Sequence, residues 1–258
     1  TTLFRSSGEP LPRGACAITF DDGWHDNLEH ALPALRARRA PATIFVVSDR
    51  VGTAGAFWPD EVCRRLAPRT AADRARILRQ AGLPSPASDV DGALQALKQL
   101  DEDTRAEALT AIRRETAAAS GAEAPERELL DWSELDRLAE QDVAIESHAA
   151  SHAILTGVSR SKAREELERS LARLRERGHA RHGLLAYPSG AFDDGIVELA
   201  REAGYRAAFT TQVGLASRGE DPLRQPRVAV HEDISRTRAE FLRFVPGSAR
   251  AANAGAGR

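Results

Sequence analysis

"ACAITFDDGWHDNLEHALPALRARRAPATIFVVS" (Ala15–Ser48) decides the fold class. Its first six residues, Ala15–Phe20, form a nearly unbroken apolar run, the pattern of a strand buried on both faces. Cys16 lies inside this run and reads as a small buried hydrophobe. The next segment carries Leu28, Leu32 and Leu35 on one stripe at spacings of four and three, which predicts a helix. Pro33 falls within it and predicts a kink. Ala42–Ser48, "ATIFVVS", concentrates β-branched and aromatic residues and predicts a second buried strand. Strand, helix and strand in so short a stretch make a βαβ unit, which requires parallel strands.

Downstream the pattern changes and then returns. From Phe57 to about Arg127 the chain is rich in Ala, Arg, Glu and Asp, with helical periodicity and no strand candidate. This stretch reads as a helical insertion whose apolar stripes are too thin for an independent domain. Alternation resumes with a helix at "DWSELDRLAEQ", whose acidic first turn suits the helix dipole, and a strand at "DVAIES". A polar loop, Ser147 to Gly157, precedes the amphipathic helix "SRSKAREELERSLARLRERG", with Leu167, Leu171 and Leu174 on its stripe. Strands at Gly183–Pro188 and "YRAAFTT" flank a helix at "DDGIVELAREAG", and Arg227–His231 is the last strand candidate. The expected organisation is one α/β domain over 1–248, a distorted (β/α) barrel or open parallel sheet. The insertion is expected at about 57–127, and a mobile tail over 249–258.

Composition narrows the function. The chain has 258 residues, 42% hydrophobic and 29% charged, with 36 Lys+Arg against 38 Asp+Glu. A formal net charge of −2 gives no basis for expecting nucleic acid as a partner. No run of eighteen apolar residues exists, so no transmembrane segment is expected. Cys16 and Cys63 lack the spacing of a thiolate metal site. The chain begins Thr1-Thr2 and contains no Met, so a trimmed N-terminus is expected and the compartment stays open between cytoplasm and export.

In parallel α/β folds, sites form at the carboxyl ends of strands. Those ends carry Asp21-Asp22, His148 and His152, Tyr187-Pro188, and His231. His148 and His152, four apart, would share one side of a helical turn and could share a metal ion. Two imidazoles and a carboxylate make an open ligand set, with a histidine-bearing helix cap as the alternative. A divalent cation offsets the repulsion between Asp21 and Asp22 and acidifies water, so one carboxylate can bind metal while the other accepts a proton. Which does which is not decided by spacing, and an Asp-Gly turn is the competing reading.

These stretches carry a resemblance. "TFDDG" and "SHAASH", with "PATIFVVSDRVG", "DWSELDRLAEQDVAIESHAASH", "LLAYPSG" and "GYRAAFTT", resemble the polysaccharide deacetylases, the NodB-homology or carbohydrate esterase family 4 proteins. The resemblance implies a distorted (β/α) barrel and metal-dependent removal of N-acetyl groups from an aminosugar polysaccharide, an N-acetylated glycan. It implies Asp21 as base and Asp22, His148 and His152 as metal ligands. Zinc is the implied ion, with Co2+, Ni2+ or Mn2+ as alternatives. The third motif holds Ala186 where many members carry an arginine paired to the catalytic Asp, resembling the "AYPYG"-like subgroup that acts on exopolysaccharides. Arg227 could then supply the charge from another strand, with a surface salt bridge as the alternative. His231 is the candidate general acid. A backbone N–H near Tyr187 is the candidate oxyanion donor, with Pro188 beside it. Trp24, Trp58 and Tyr187 are candidate sugar-stacking surfaces, with core packing as the equal alternative for each, and His30, His179 and His182 are read as surface positions. The competing functions are a related amidohydrolase acting on a small non-sugar amide and a catalytically silent carbohydrate-binding member.

Overall fold

The computed structural model describes residues 15–54, 57–83, 89–117, 127–217, 219–231 and 235–244. The expected tail at 249–258 and the first fourteen residues lie outside the described residues. Six strands form one parallel sheet in chain order: β1 (Ile18–Phe20), β2 (Ala42–Val46), β3 (Val143–Ser147), β4 (Leu184–Ala186), β5 (Ala207–Val213) and β6 (Gln225–Arg227). The sheet curls into a half-barrel with β1 and β6 as its two edges. Around it lie α1 (Leu32–Arg38), α2 (Trp58–Leu66), α3 (Ala71–Gln80), α4 (Val90–Lys98), α5 (Glu102–Thr116), α6 (Trp132–Ala139), α7 (Arg160–Glu176), α8 (Asp194–Ala203) and α9 (Arg238–Phe244). Among the described residues no helix is long and apolar enough to cross a membrane.

The helices start where short polar side chains can take up orphan backbone N–H groups. Thr70, Asp89, Asp101, Ser159 and Asp193 each cap a helix through a side-chain oxygen. Asp131 and Glu134 form a reciprocal capping box on α6. Periodicity then selects the faces. Ile44, Val46, Val143, Ile145, Leu185 and Ala208 pack outward against Leu135, Leu138, Leu167, Leu171, Ile196 and Ala200. Phe45, Leu184 and Ala186 form a small separate cluster on the opposite sheet face.

Glu146 shares that inner face through its register with Phe45. Its buried carboxylate accepts the N–H groups of His182 at 2.9 Å and Leu184 at 2.8 Å, stapling β3 to the start of β4. Burial pushes its pKa up to about 7 against the stabilising effect of those donors.

Several expectations are corrected. The first strand is shorter than Ala15–Phe20 and is not buried on both faces: Ile18 is 36% exposed and Cys16 is exposed. The reason is topological, since β1 is an edge strand that pairs only with β2. The last strand lies over Gln225–Arg227, two residues upstream of the expected start, and His231 follows it as exposed coil. A π-helical turn, Asn27–Ala31, leads directly into α1, where Pro33 occupies the first turn and needs no N–H partner. His179 is buried at 7% exposure, with its ring against Trp132 and Nε2 facing Asp136 at 3.1 Å.

Within the insertion, α2–α5 enclose their own core of Val62, Leu66, Ile77, Leu78, Leu83, Ala93, Leu97, Ala108, Leu109 and Ile112. Each stripe is thin, but four converge, so the expectation that they could bury little is also corrected. Glu61 ties α2 to α5 by accepting from both Arg65 (2.8 Å) and Arg113 (2.7 Å).

The chain leaving the insertion returns along the first motif. Leu129 bridges Trp24 in antiparallel fashion, His25 N–H donates to the Glu128 carbonyl, and Leu130 N–H donates to the Gly23 carbonyl. Glu134 anchors this crossing, taking two hydrogen bonds from Arg127 and facing His25 Nε2 at 3.1 Å. Arg127 is the main cause that brings its pKa down to about 2. A depressed carboxylate contributes stability that is complete above the unfolded value and lost as pH falls through the folded one. Glu134→Gln is therefore expected to destabilise the protein by up to about 3 kcal/mol at neutral pH. In urea unfolding, that difference should shrink as pH is lowered from 4.5 toward about 2.

Candidate active site

The site begins where β1 ends. Phe20 leads into Asp21-Asp22-Gly23, a turn closed by Gly23 N–H on the Asp21 carbonyl at 2.9 Å. Asp22 and Gly23 both take left-handed backbone angles, φ 72° and 80°. Asp tolerates this conformation, and position 23 requires glycine because a Cβ would stand 3.0 Å from Val46 Cγ1. The Asp-Gly turn and the carboxylate site are thus one feature: the turn aims the two aspartates apart.

Asp21 meets Arg227 in a two-pronged ion pair, Nη1–Oδ1 2.8 Å and Nη2–Oδ2 2.7 Å. Arg227 is itself held by the Thr210 carbonyl at Nε (2.9 Å), and Nη1 also reaches Thr19 Oγ1 at 3.4 Å. Of the two expectations for Arg227, a surface salt bridge does not describe this half-buried, doubly anchored guanidinium.

Asp22 turns the other way. Its Oδ2 accepts from Trp24 Nε1 at 3.2 Å, while its Oδ1 lies 3.4 Å from His148 Nε2 and 3.3 Å from His152 Nε2. That Oδ1 is buried with no hydrogen-bond partner in geometry, an orphan acceptor between two imidazoles. His148 Nδ1 bonds the Ala186 carbonyl at 2.8 Å, which fixes the ring and leaves Nε2 to face Asp22. One ligand atom from each of Asp22, His148 and His152 lies within 4.8 Å of the others. Two imidazole nitrogens and a carboxylate oxygen converging on one point fit a divalent cation.

The electrostatics agree. Burial would raise the Asp22 pKa, but the facing imidazoles of His148 and His152, with the Trp24 N–H, hold it below the usual carboxylate range. Burial, aided by His148, drives His152 down to about 4, so its nitrogen is free of a proton at neutral pH.

The histidine pair does not sit on a helical turn. Residues 148–152 form a loop with left-handed residues at Ala149 (φ 62°) and His152 (φ 70°), and these, not a helical period, bring the rings to 4.9 Å. Three further expectations change. Tyr187 is fully buried, its hydroxyl donates to the Leu223 carbonyl at 3.0 Å, and its ring stacks on Phe192, so it offers no sugar platform. Its N–H is committed to the Phe209 carbonyl at 3.0 Å and is not an oxyanion donor. Pro188 is buried and starts a short turn whose Gly190 could not carry a Cβ, which would fall 2.1 Å from Thr211 Oγ1. His231 is exposed, and its ring is not among the groups bonded to Asp21, Asp22, His148 or His152.

A polysaccharide deacetylase family model matches residues 8–208. The chain belongs to the polysaccharide deacetylase family. Bacillus subtilis (strain 168) YxkH is 26% identical over 106 residues, which span 41% of this chain and 38% of YxkH, so the match covers little more than a third of that relative. Among solved structures, Streptococcus pyogenes deacetylase PplD in complex with acetate superposes with a TM-score of 0.58 at 17% identity, covering 94% of this chain and 76% of that one. The polysaccharide deacetylase BC0361 from Bacillus cereus gives 0.59 at 19% identity, covering 95% and 55%.

In this family member the helical insertion forms part of the candidate site wall, which periodicity could not reveal. Phe57, at the N-terminal end of α2, packs against both Trp24 (5.3 Å, edge-on) and His152 (4.9 Å). Asp60, one turn along, has its pKa raised by burial and then by the charge of Asp22. Trp58 instead packs on the insertion core and lies under the Arg105 guanidinium at 5.7 Å.

Zinc uptake should follow the protonation state of both imidazoles. Burial would lower the His148 pKa, but the neighbouring carboxylates Asp22 and Asp21 hold it above the ordinary imidazole value. Binding measured by equilibrium dialysis is therefore expected to weaken as pH falls through the neutral range and to be lost well before His152 titrates at about 4. His152→Ala is expected to abolish it at every pH.

Proposed function

We propose that this protein is a metal-dependent N-deacetylase of an N-acetylated glycan, with zinc as the ion that best suits two imidazoles and a carboxylate. The observation that carries the reading is the division of the two adjacent aspartates. Asp22 faces His148 and His152, and Asp21 is gripped at both oxygens by Arg227. Family membership supports the deacetylation chemistry, and the ends of β1 and β3 supply all four candidate site residues.

A divalent ion held by Asp22, His148 and His152 would polarise the acetamide carbonyl and acidify water beside Asp21. Asp21 accepts the water proton as the C–O bond forms. Arg227 keeps both Asp21 oxygens in one plane, so the attack geometry is set before substrate arrives. Breakdown of the tetrahedral adduct cleaves the C–N bond, and the departing nitrogen needs a proton because an amide anion is too poor a leaving group. Asp21 returns the proton it took to the nitrogen, the C–N bond breaks to acetic acid and amine, and the acid proton passes to the amine, so the products leave as acetate and an ammonium group. His231 carries no part of this sequence. Trp24, half-buried and hydrogen-bonded to Asp22, is the aromatic surface nearest the reacting groups and is assigned to the sugar ring.

The test is acetate release from N-acetylglucosamine oligomers by the full chain, with and without chelator. Asp21→Asn is expected to lose about 10²–10⁴ in kcat while retaining bound zinc. Arg227→Ala is expected to lower kcat with little change in KM, and Arg227→Lys to recover only part, because an ammonium cannot grip both oxygens. No acetate release by the wild-type chain loaded with Zn2+, Co2+, Ni2+ or Mn2+ would sink the proposal.

A further inference from the structure

The histidine loop is strained and lies between two of the three candidate ligands, so something outside it must hold its shape. Ala149 and His152 are both non-glycine residues in the left-handed region, φ 62° and 70°. The backbone gives partial support: His148 N–H donates to the Val46 carbonyl at 2.9 Å, Ser48 N–H to Ala149 at 3.3 Å and Asp49 N–H to Ala150 at 2.9 Å. These bonds pin the near side of the loop to the strand end of β2. They leave the N–H groups of Ala150 and Ser151 pointing toward α7.

There the loop meets Glu166, a fully buried carboxylate on α7. Its Oε2 accepts Ala150 N–H at 3.1 Å and Ser151 N–H at 2.7 Å, and its Oε1 accepts the Ser151 hydroxyl at 2.9 Å. A buried carboxylate needs compensating charge, and Arg169 Nη2 stands 3.2 Å away with Lys162 Nζ at 3.7 Å. Arg169 Nη2 also binds Asp49 Oδ2 at 2.8 Å, and Arg173 binds Asp49 Oδ1 at 2.9 Å. Asp49 is the residue whose N–H holds Ala150 from the other side. The loop is therefore gripped from both faces by one continuous charge network.

From this geometry we infer that Glu166 is a positioning residue for the metal site, acting through the backbone of residues 150–151 to set the separation and orientation of His148 and His152. The inference rests on the metal reading of Asp22, His148 and His152, and not on the identity of the substrate. Glu166 falls on the buried stripe of α7 with Ala163, Leu167, Ser170, Leu171 and Leu174. An apolar residue there would leave three donors unsatisfied and release the strained loop.

The experiment measures the affinity of the full metal-free chain for zinc alone, by competition with a chromophoric chelator. It is accompanied by the cobalt(II) ligand-field spectrum and the unfolding midpoint of the metal-free protein. Glu166→Ala is expected to weaken zinc binding by about tenfold or more and to alter the cobalt spectrum, the range seen when outer-shell support of a ligand is removed. Glu166→Gln keeps an acceptor for the two N–H groups and is expected to lose less. Leu167→Ala, its neighbour on α7, is the control: it should lower the unfolding midpoint and leave zinc affinity unchanged.

Wild-type affinity and spectrum in a folded Glu166→Ala would overturn the inference. So would wild-type values in Glu166→Gln should the alanine variant fail to fold, or an equal loss of affinity in Leu167→Ala. A wild-type chain that binds zinc but releases no acetate removes the deacetylase reading alone. One that binds no divalent ion removes both.

Discussion

Arg227 joins the two edges of the curled sheet. It leaves β6, is fixed by the Thr210 carbonyl on β5, and closes on Asp21 and Thr19 at β1. A parallel sheet of six strands leaves β1 and β6 without ladder partners toward each other, and side chains must bridge that seam. The bridging ion pair is also the one that orients the candidate base. The seam and the candidate base thus share a single guanidinium, which reaches Asp21 from the far edge of the sheet while β4 ends in Ala186.

Around this pair the molecule spends buried polar groups in a consistent way. Glu146 staples β3 to the approach of β4, Glu166 grips the histidine loop, and Glu134 holds the chain that returns beside Trp24. Each is a carboxylate whose oxygens accept backbone N–H groups or a guanidinium, which offsets burial in full for Glu134 and only in part for Glu146. Together they fix the three loops that follow β1, β3 and the insertion. The insertion in turn brings Phe57 against Trp24 and His152, so a segment without strands closes one side of a site built from strands.

Much of this was legible in the chain. The parallel βαβ start and the candidacy of His148 and His152 as a ligand pair follow from residue type and spacing, and the assignment of Asp22 to that pair follows from the family resemblance. The Arg227 pairing was legible only as one of two options. Where reading failed, the failure was about environment. The run around Cys16 reads as buried because apolar runs carry no mark of being at a sheet edge. Tyr187 reads equally as platform or core, and His179 as surface, because aromatic and imidazole groups look alike whether they face solvent or a carbonyl. Glu166 had a signal, a carboxylate on an apolar stripe, but its partner lay on a loop fifteen residues earlier.

The sequence by itself determined the alternation of strands and helices and the family, and it nominated the four candidate site residues, because periodicity and short motifs encode local conformation and ligand chemistry. Only the tertiary structure decided that the histidines meet across a left-handed loop and not a helical turn. It alone decided that Asp21 and Asp22 point to different partners, and that a strand-six arginine steadies the first of them. Those outcomes depend on which backbone groups are satisfied across long sequence separations, between Ala150 and Glu166 and between Asp21 and Arg227. No local pattern carries that information.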